Sequence, residues 1–272
     1  SGLIELESLF CGNNSISSLD LSGLSNLQVL NFQLCQISNI NLSGLVNLQS
    51  LYCGSNLLTT LDLSVVPNLN YLSCPLNQIS LLNLNGLTNL SYLNCSGNQI
   101  STLDLNETIN LQSLYCYSNQ LIALDFSQLT NIIYIYCQNN LLESLNIKNG
   151  VNEDLFNIDF SNNSNLNYIC VDELQINNIQ TQINNYGYTN CHINSYCSFT
   201  PNGTFYEISS NTKFDLNTNG CDVSDINYSN LKFNITDGIN SGLIIANQTG
   251  NYYIPVSAGN HTITPNLENP TY

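Results

Sequence analysis

The stretch LYCGSNLLTTLDL, running from Leu51 to Leu63, decides the fold. Leu51, Cys53, Leu58, Leu61 and Leu63 are apolar at fixed offsets, Asn56 marks a corner, and Asp62 stands alone between two leucines. So short a piece cannot bury its own apolar side chains, so its meaning lies in recurrence. The residue two places before each cysteine-bearing step is Leu9, Leu30, Leu51, Leu72, Leu93, Leu114 and Ile135, each 21 positions from the last. A degenerate eighth copy follows at Ile158, Phe160 and Asn163, 23 positions after Ile135, with two residues inserted near 148–155.

Equal repeats of this length stack, each covering the apolar interior of its neighbour and pairing strand with strand. Parallel strands lie about 4.8 Å apart, so eight coils predict a solenoid on the order of 35 Å long. Alternation assigns the faces. Leu51 and Cys53 point inward, which turns Ser50, Tyr52 and Gly54 outward, and the Leu61–Asp62–Leu63 triplet forms a second extended segment. Asn56 turns the chain and offers its amide to neighbouring coils. Copy two departs, with Phe32 at the cysteine position and Cys35 at the asparagine corner.

The unit L-x-C-x-x-N-x-(I/L)-x-x-L-(D/N)-(L/I/F) resembles the leucine-rich-repeat family, in particular its short bacterial, internalin-like versions. The resemblance covers about residues 1–170. It implies a mainly β fold, a parallel-sheet solenoid of about eight coils, and a role in recognition. The segment NYICVDE from Asn167 is similar to the C-terminal cap of secreted leucine-rich-repeat proteins of Bacteroidetes-type bacteria, which places a cap and connector at 171–200.

Six of the eleven cysteines (Cys11, Cys53, Cys74, Cys95, Cys116 and Cys137) share one inward position. They read as a column of small buried apolar groups. In-register Cβ atoms about 4.8 Å apart are too distant for disulfides, and no histidine joins them to complete a zinc site. Cys170, Cys191, Cys197 and Cys221 lie outside the repeats and allow three pairings. The pairing adopted here is Cys170–Cys191 closing the cap and Cys197–Cys221 tying it to the next module. Bridges of this kind belong to an oxidising compartment, so the chain is expected to be secreted or held at a cell surface.

From about 201 the texture changes to short alternating runs with Gly and Asn turns. Strands are predicted at Thr204–Ile208, Leu231–Ile235, Gly242–Ala246, Tyr252–Val256 and His261–Thr264. The segment TGNYYIPVSAGNHTITP from Thr249 is similar to the closing hairpin of carboxypeptidase-regulatory-like surface modules, which implies a small Ig-like β-sandwich over 201–272, short of a final strand. Within it DLNTNGCDVSD, from Asp215 to Asp225, begins like a calcium loop. Oxygen ligands at alternate positions precede a glycine there. Asp215, Asn217 and Asn219 would give side-chain oxygens and Cys221 its carbonyl. Similar loops occur in calcium-bearing repeats of staphylococcal surface proteins. Position twelve is Ile226 rather than Glu, which leaves Asp222 or Asp225 to substitute, with a metal-free Asx-rich loop as the alternative.

The outward rows hold the candidate binding residues: Phe10, Tyr52, Tyr71, Tyr92, Tyr115, Tyr117, Tyr134 and Tyr136. Tyrosine offers large area, little rotamer entropy and a polar tip, which suits recognition on a concave sheet face. The alternative is that tyrosine fits pleated strands and the rows stack on one another. The row Asp20, Asn41, Asp62, Asn83, Asp104, Asp125 and Asn146 imitates a calcium ladder but reads as a solvated edge that resists sheet aggregation.

Three lysines, no arginine and a formal net charge of −16 leave no basic patch for nucleic acid or an anionic membrane. No apolar run is long enough to span a bilayer. The chain starts at Ser1 without a signal-peptide pattern, as a mature or trimmed form would. His192 and His261 stand apart, no Ser–His–Asp set or phosphate loop is legible, and no enzyme is expected. The reading is a monomeric binding or adhesion protein for a protein ligand on the repeat face. A carbohydrate ligand on the same face is the alternative.

Overall fold

The computed structural model describes residues 3–151, 157–198, 204–220 and 222–267, which gather into two compact units. The first lies within Ser1–Glu143 and Glu153–Asn165, the second within Ser144–Asn152 and Leu166–Tyr272.

The first unit is the repeat stack. Strands β1 (Ser8–Phe10), β2 (Val29–Asn31), β3 (Ser50–Tyr52), β4 (Tyr71–Ser73), β5 (Tyr92–Asn94), β6 (Ser113–Tyr115), β8 (Tyr134–Tyr136) and β10 (Ile158–Asp159) form one eight-stranded sheet in that order. All are parallel, and the register pairs Leu9, Leu30, Leu51, Leu72, Leu93, Leu114, Ile135 and Ile158 in line. The 21-residue period is therefore the strand register itself. The middle residue of each strand turns inward, and Leu30, Leu51, Leu72, Leu93, Leu114 and Ile135 are fully buried. At about 1.5–3 kcal/mol for each buried aliphatic side chain, this column is the main favourable contribution of the stack. The second extended segment becomes a strand in this unit at β7 (Ala123–Asp125).

The corner asparagine works as expected, and more completely. Asn98 donates from Nδ2 to the carbonyls of Cys74 (3.1 Å) and Cys95 (2.9 Å), while its Oδ1 accepts the Ile79 N–H at 3.0 Å. Asn56, Asn77, Asn119, Asn140 and Asn163 repeat the arrangement. Cys35 imitates half of it, donating its thiol to Cys11 O at 3.6 Å, and the register holds. The residue before each corner adopts a left-handed backbone: Asn13, Leu34, Ser55, Leu76, Gly97, Ser118, Asn139 and Asn162.

The second unit contains β9 (Ser144–Asn146), β11 (Tyr168–Cys170), a 3-10 turn at Glu173–Gln175, helix α1 (Ile176–Asn185) and β12 (His192–Asn194). It continues with β13 (Tyr206–Asn211), β14 (Lys213–Phe214), β15 (Ile226–Asn227), β16 (Lys232–Thr236), β17 (Ser241–Ile245), β18 (Asn251–Val256) and β19 (Thr262–Asn266). Helix α1 buries Ile176, Ile179 and Ile183, the apolar stripe of an amphipathic helix.

Strands fall at all five sites expected beyond 201, but a separate Ig-like sandwich is not what their pairing shows. β19, β16, β17, β12, β11 and β9 follow one another in a single sheet, with β12 meeting β17 antiparallel at Asn194 and Ile244. β13 and β18 form a two-stranded pair, and so do β14 and β15. A small core of Tyr196, Phe233, Ile235, Ile244, Ala246, Ile254 and Val256 holds these strands together.

Candidate binding site

The strand register decides what the tyrosines can do. Tyr71 faces Tyr92 directly across β4 and β5, and Tyr115 faces Tyr136 across β6 and β8. Both pairs stack nearly parallel, at 3° with centroids 4.1 Å apart and at 4° with centroids 5.0 Å apart. Tyr52 to Tyr71 and Tyr92 to Tyr115 are diagonal steps, since each tyrosine's direct partner is a small residue: Ser73, Ser50, Ser113 and Asn94. Those steps are tilted by 32° and 37°, at 4.8 and 5.5 Å. The result is one continuous five-ring ladder across the sheet.

Every ring in the ladder is half-buried. Burial, then the Tyr92 hydroxyl, hold the Tyr71 phenol well above its ordinary value, and burial raises that of Tyr115. Both therefore act near neutral pH as hydrogen-bonding hydroxyls. Phe10 and Tyr134 are exposed and Tyr117 is half-buried; these three stand apart from the ladder. The stacked pairs use their ring faces on each other, which leaves edges and hydroxyls for a ligand.

A second feature of this unit went unread in the sequence. Asn47, Gln49, Asn68, Asn89, Asn110 and Asn131 line a groove of about 660 Å³ together with Asn70, Ser91 and Gln112. The pair that supplies one amide per coil, Asn-Leu at Asn47, Asn68, Asn89 and Asn110 and Asn-Ile at Asn131, is visible in the sequence but reads as turn chemistry. Asn47, Asn68, Asn110 and Asn131 each donate to a carbonyl of the preceding coil, at 2.9, 2.8, 2.9 and 3.4 Å. Gln49, Asn70 and Gln112 immediately precede strands β3, β4 and β6.

The acidic row is exposed from Asp20 to Asp104 and also shapes the backbone. Asp20, Asn41, Asp62, Asn83, Asp104, Asp125 and Asn146 each accept the backbone N–H two residues on, at 2.9–3.1 Å. They build Asx turns, and hydrogen bonds from Ser22 and Ser64 lower the carboxyls of Asp20 and Asp62 below the usual range.

The cysteine column is buried from Cys53 to Cys137, and all six of its thiols, Cys11 included, are free. Burial holds Cys95, Cys116 and Cys137 far above the ordinary thiol value. At Cys74 a hydrogen bond with Cys53 adds to burial and is the larger cause. The bridge is Cys170–Cys197, with Cα atoms 5.8 Å apart, and the expected Cys170–Cys191 pairing is overturned. Parallel register sets Tyr168 against His192 and Cys170 against Asn194, so Cys191 stands three residues behind the level of Cys170. That offset, at about 3.3 Å per residue, exceeds disulfide reach. Cys191 is a buried free thiol pushed up to about 12 by desolvation. The same bridge takes Cys197 and so overturns the expected Cys197–Cys221 pairing as well; Cys221, also expected to lend a carbonyl to calcium, lies outside the described residues.

In the candidate calcium loop the carboxylates turn to the backbone. Asp215 accepts from Asn219 N (3.3 Å) and Gly220 N (2.9 Å), Asn217 accepts from Asn219 N (3.1 Å), Asp222 from Ser224 N (2.7 Å), and Asp225 from Asp222 N (2.8 Å). Among the described residues no three His, Cys, Asp or Glu side chains converge as metal ligands do. Both histidines have structural partners. His192 stacks on Tyr253 at 4.4 Å, and His261 bonds the Tyr196 hydroxyl (2.8 Å) and Ser257 O (2.9 Å). Among the described residues no helix is long and apolar enough to cross a membrane.

No family model matches the sequence, and no curated protein matches it. Among solved structures the chain is similar to an internalin of Listeria monocytogenes, with 33% identity over 51% of this chain and 43% of that one, at a TM-score of 0.48. It is similar to the functional domain of InlJ from Listeria monocytogenes, described as including a cysteine ladder, with 18% identity over 93% of this chain and 68% of that one (TM-score 0.50). A leucine-rich-repeat protein of Leptospira interrogans matches at 22% identity over 70% of this chain and 55% of its own (TM-score 0.54). The chain thus spans less than half of that internalin and about half of the Leptospira protein. The InlJ and Leptospira likenesses establish the fold, a leucine-rich-repeat solenoid.

Proposed function

We propose that this chain is a non-catalytic binding or adhesion protein, working outside the cell or at its surface, that recognises a protein ligand on the strand face of its repeats. The observation that carries this reading is the tyrosine ladder from Tyr52 to Tyr136. Stacking fixes the rings before a ligand arrives, so little side-chain entropy is lost on binding. Ring edges and hydroxyls then meet a partner as the aromatic anchors of protein interfaces do. The Cys170–Cys197 bridge supports an oxidising compartment. Internalins and related repeat proteins supply analogy of fold only.

The test pairs a panel of host and neighbouring-cell surface proteins with a glycan array, using the native chain and a Tyr115→Ala plus Tyr136→Ala variant. Binding to a surface protein that disappears in the variant, with thermal unfolding still cooperative, is the expected result. Unchanged binding in the variant removes the ladder as the site.

The carbohydrate alternative finds its support in the amide groove rather than in the ladder, whose stacked faces are covered. One amide per coil suits hydroxyl groups along an extended chain. On this reading Asn89→Ala plus Gln112→Ala abolishes glycan binding while the tyrosine variant keeps it.

A further inference from the structure

The chain has three lysines and no arginine against 19 acidic residues, so the position of each cation is informative. Lys148 donates to Ser195 O at 2.7 Å. Lys213 donates to the carbonyls of Asp222 and Asp225, at 2.5 and 3.4 Å. Both serve the backbone. Lys232, at the start of β16, is exposed, and its side chain makes no hydrogen bond or ion pair with any other described residue. It stands on the wall of a cleft of about 680 Å³ in the second unit, bounded by α1 and by strands β12, β17 and β18.

We infer that this cleft is a second binding site, independent of the repeat face, for a short saccharide carrying a carboxylate. Three features converge. No Asp or Glu lines the cleft, although the chain is rich in both, and the Glu207 carboxylate beside it is already engaged by the Tyr253 hydroxyl at 2.6 Å. Charges elsewhere on the surface are screened beyond about 8 Å at physiological salt. Next, Tyr188 and Tyr253 line the cleft half-buried, and His192 backs the Tyr253 ring at 4.4 Å and 24°, fixing it in place. Rings held this way suit the apolar face of a sugar.

Third, Asn177, Asn230 and Gln248 line the same space, and their side-chain amides hydrogen-bond to no other described residue. Neutral amides with both donor and acceptor capacity match hydroxyl groups, which also give and accept. The combination of one cation, several uncommitted amides and braced aromatic rings fits a uronic-acid sugar better than a peptide. A peptide would draw on an unpaired strand edge; β12 and β17 are already paired with each other, and β18 is paired with β13, whereas a sugar needs no strand edge at all. Cavities of about 300–1,000 Å³ are the usual size for small-ligand sites.

The probe is a galacturonic acid trisaccharide titrated calorimetrically into the full chain, beside its methyl ester, which keeps the rings and loses the charge. The acid is expected to bind, with affinity lowered by about tenfold or more in the ester and in Lys232→Gln, the loss of one charge-assisted hydrogen bond. Tyr115→Ala plus Tyr136→Ala should leave this binding intact, which separates the site from the ladder. No binding of the acid, equal binding of acid and ester, or an unchanged affinity in Lys232→Gln overturns the proposal. So does selective capture of a short acidic peptide in place of the sugar. Because Lys232 is exposed, its variant keeps the fold, and an unchanged melting curve confirms that.

Discussion

Tyr71 and Tyr92 lie ring on ring, their centroids 4.1 Å apart and their planes 3° from parallel. Tyr92 also meets Tyr115 at 5.5 Å, so it links the two halves of the ladder. Aromatic pairs contribute about 0.5–1.5 kcal/mol beyond the area they bury. Tyr92→Ala should therefore destabilise the chain by roughly 2 kcal/mol or more in urea unfolding. In a double-mutant cycle with Tyr71→Ala the coupling should be about 1 kcal/mol. Additivity of the two changes would show that the rings merely lie near each other.

The corner asparagines carry the sharpest stability prediction. Asn98→Ala strands the Ile79 N–H and leaves the Cys74 carbonyl short of a donor, both in the interior. An unmet buried group costs about 1–3 kcal/mol, so the loss should reach roughly 2–4 kcal/mol. Cys35→Asn is the converse, since it gives the second coil the amide that its neighbours have. It should add about 1 kcal/mol, and a loss of stability would mean that the Cys35 corner is shaped for sulfur.

Leu76 is 63% exposed and sits at φ 55°, a left-handed conformation that non-glycine residues rarely adopt. The equivalent position is Asn in three other copies and Gly in one. Leu76→Asn should stabilise by about 1 kcal/mol, because Asn tolerates this backbone better. A differential scanning measurement showing a lower midpoint would point instead to the Leu76 contact with Gly97.

How stability changes with pH follows from the thiol column. Burial raises the folded-state values of Cys95 and Cys116 above the ordinary 9.0, whereas an unfolded chain ionises at the ordinary value. Their contribution is therefore full below about pH 9 and is lost as pH rises beyond it. Urea midpoints should stay level from pH 7 to 8.5 and fall above 9, and Cys116→Ala should shallow the fall. A fall already complete by pH 8 would contradict the burial of these thiols.

Calcium should leave the melting temperature unchanged, since Asp215 and Asp222 already serve backbone N–H groups. A rise of several degrees, reversed by chelator, would show that a cation can displace those bonds.

The stack was legible because a period repeated through Leu9 to Ile135 can be satisfied only by coils in register, and each inward position is fixed once one is fixed. The same reasoning failed for the bridge. Cysteine spacing says nothing of strand offset, and the register of β11 on β12 excluded Cys191. Helix α1 gives a weak signal: Ile176, Ile179 and Ile183 carry helical spacing, but the asparagines among them favour turns and caps over helix interiors. The groove and the cleft were hidden for different reasons. The groove amides repeat every 21 positions from Asn47 to Asn131 but read as turn chemistry, whereas the cleft is made by residues distant in sequence with no periodic signature.

The corner bonds all point backward along the chain: Asn56 reaches Phe32 O, 24 residues earlier, and receives Ile37 N–H, 19 residues earlier. Each coil's corner is therefore closed by the coil that follows it. Cutting the array after any coil would leave that newly terminal turn with an inner carbonyl and N–H lacking their amide, while the turns before it keep theirs.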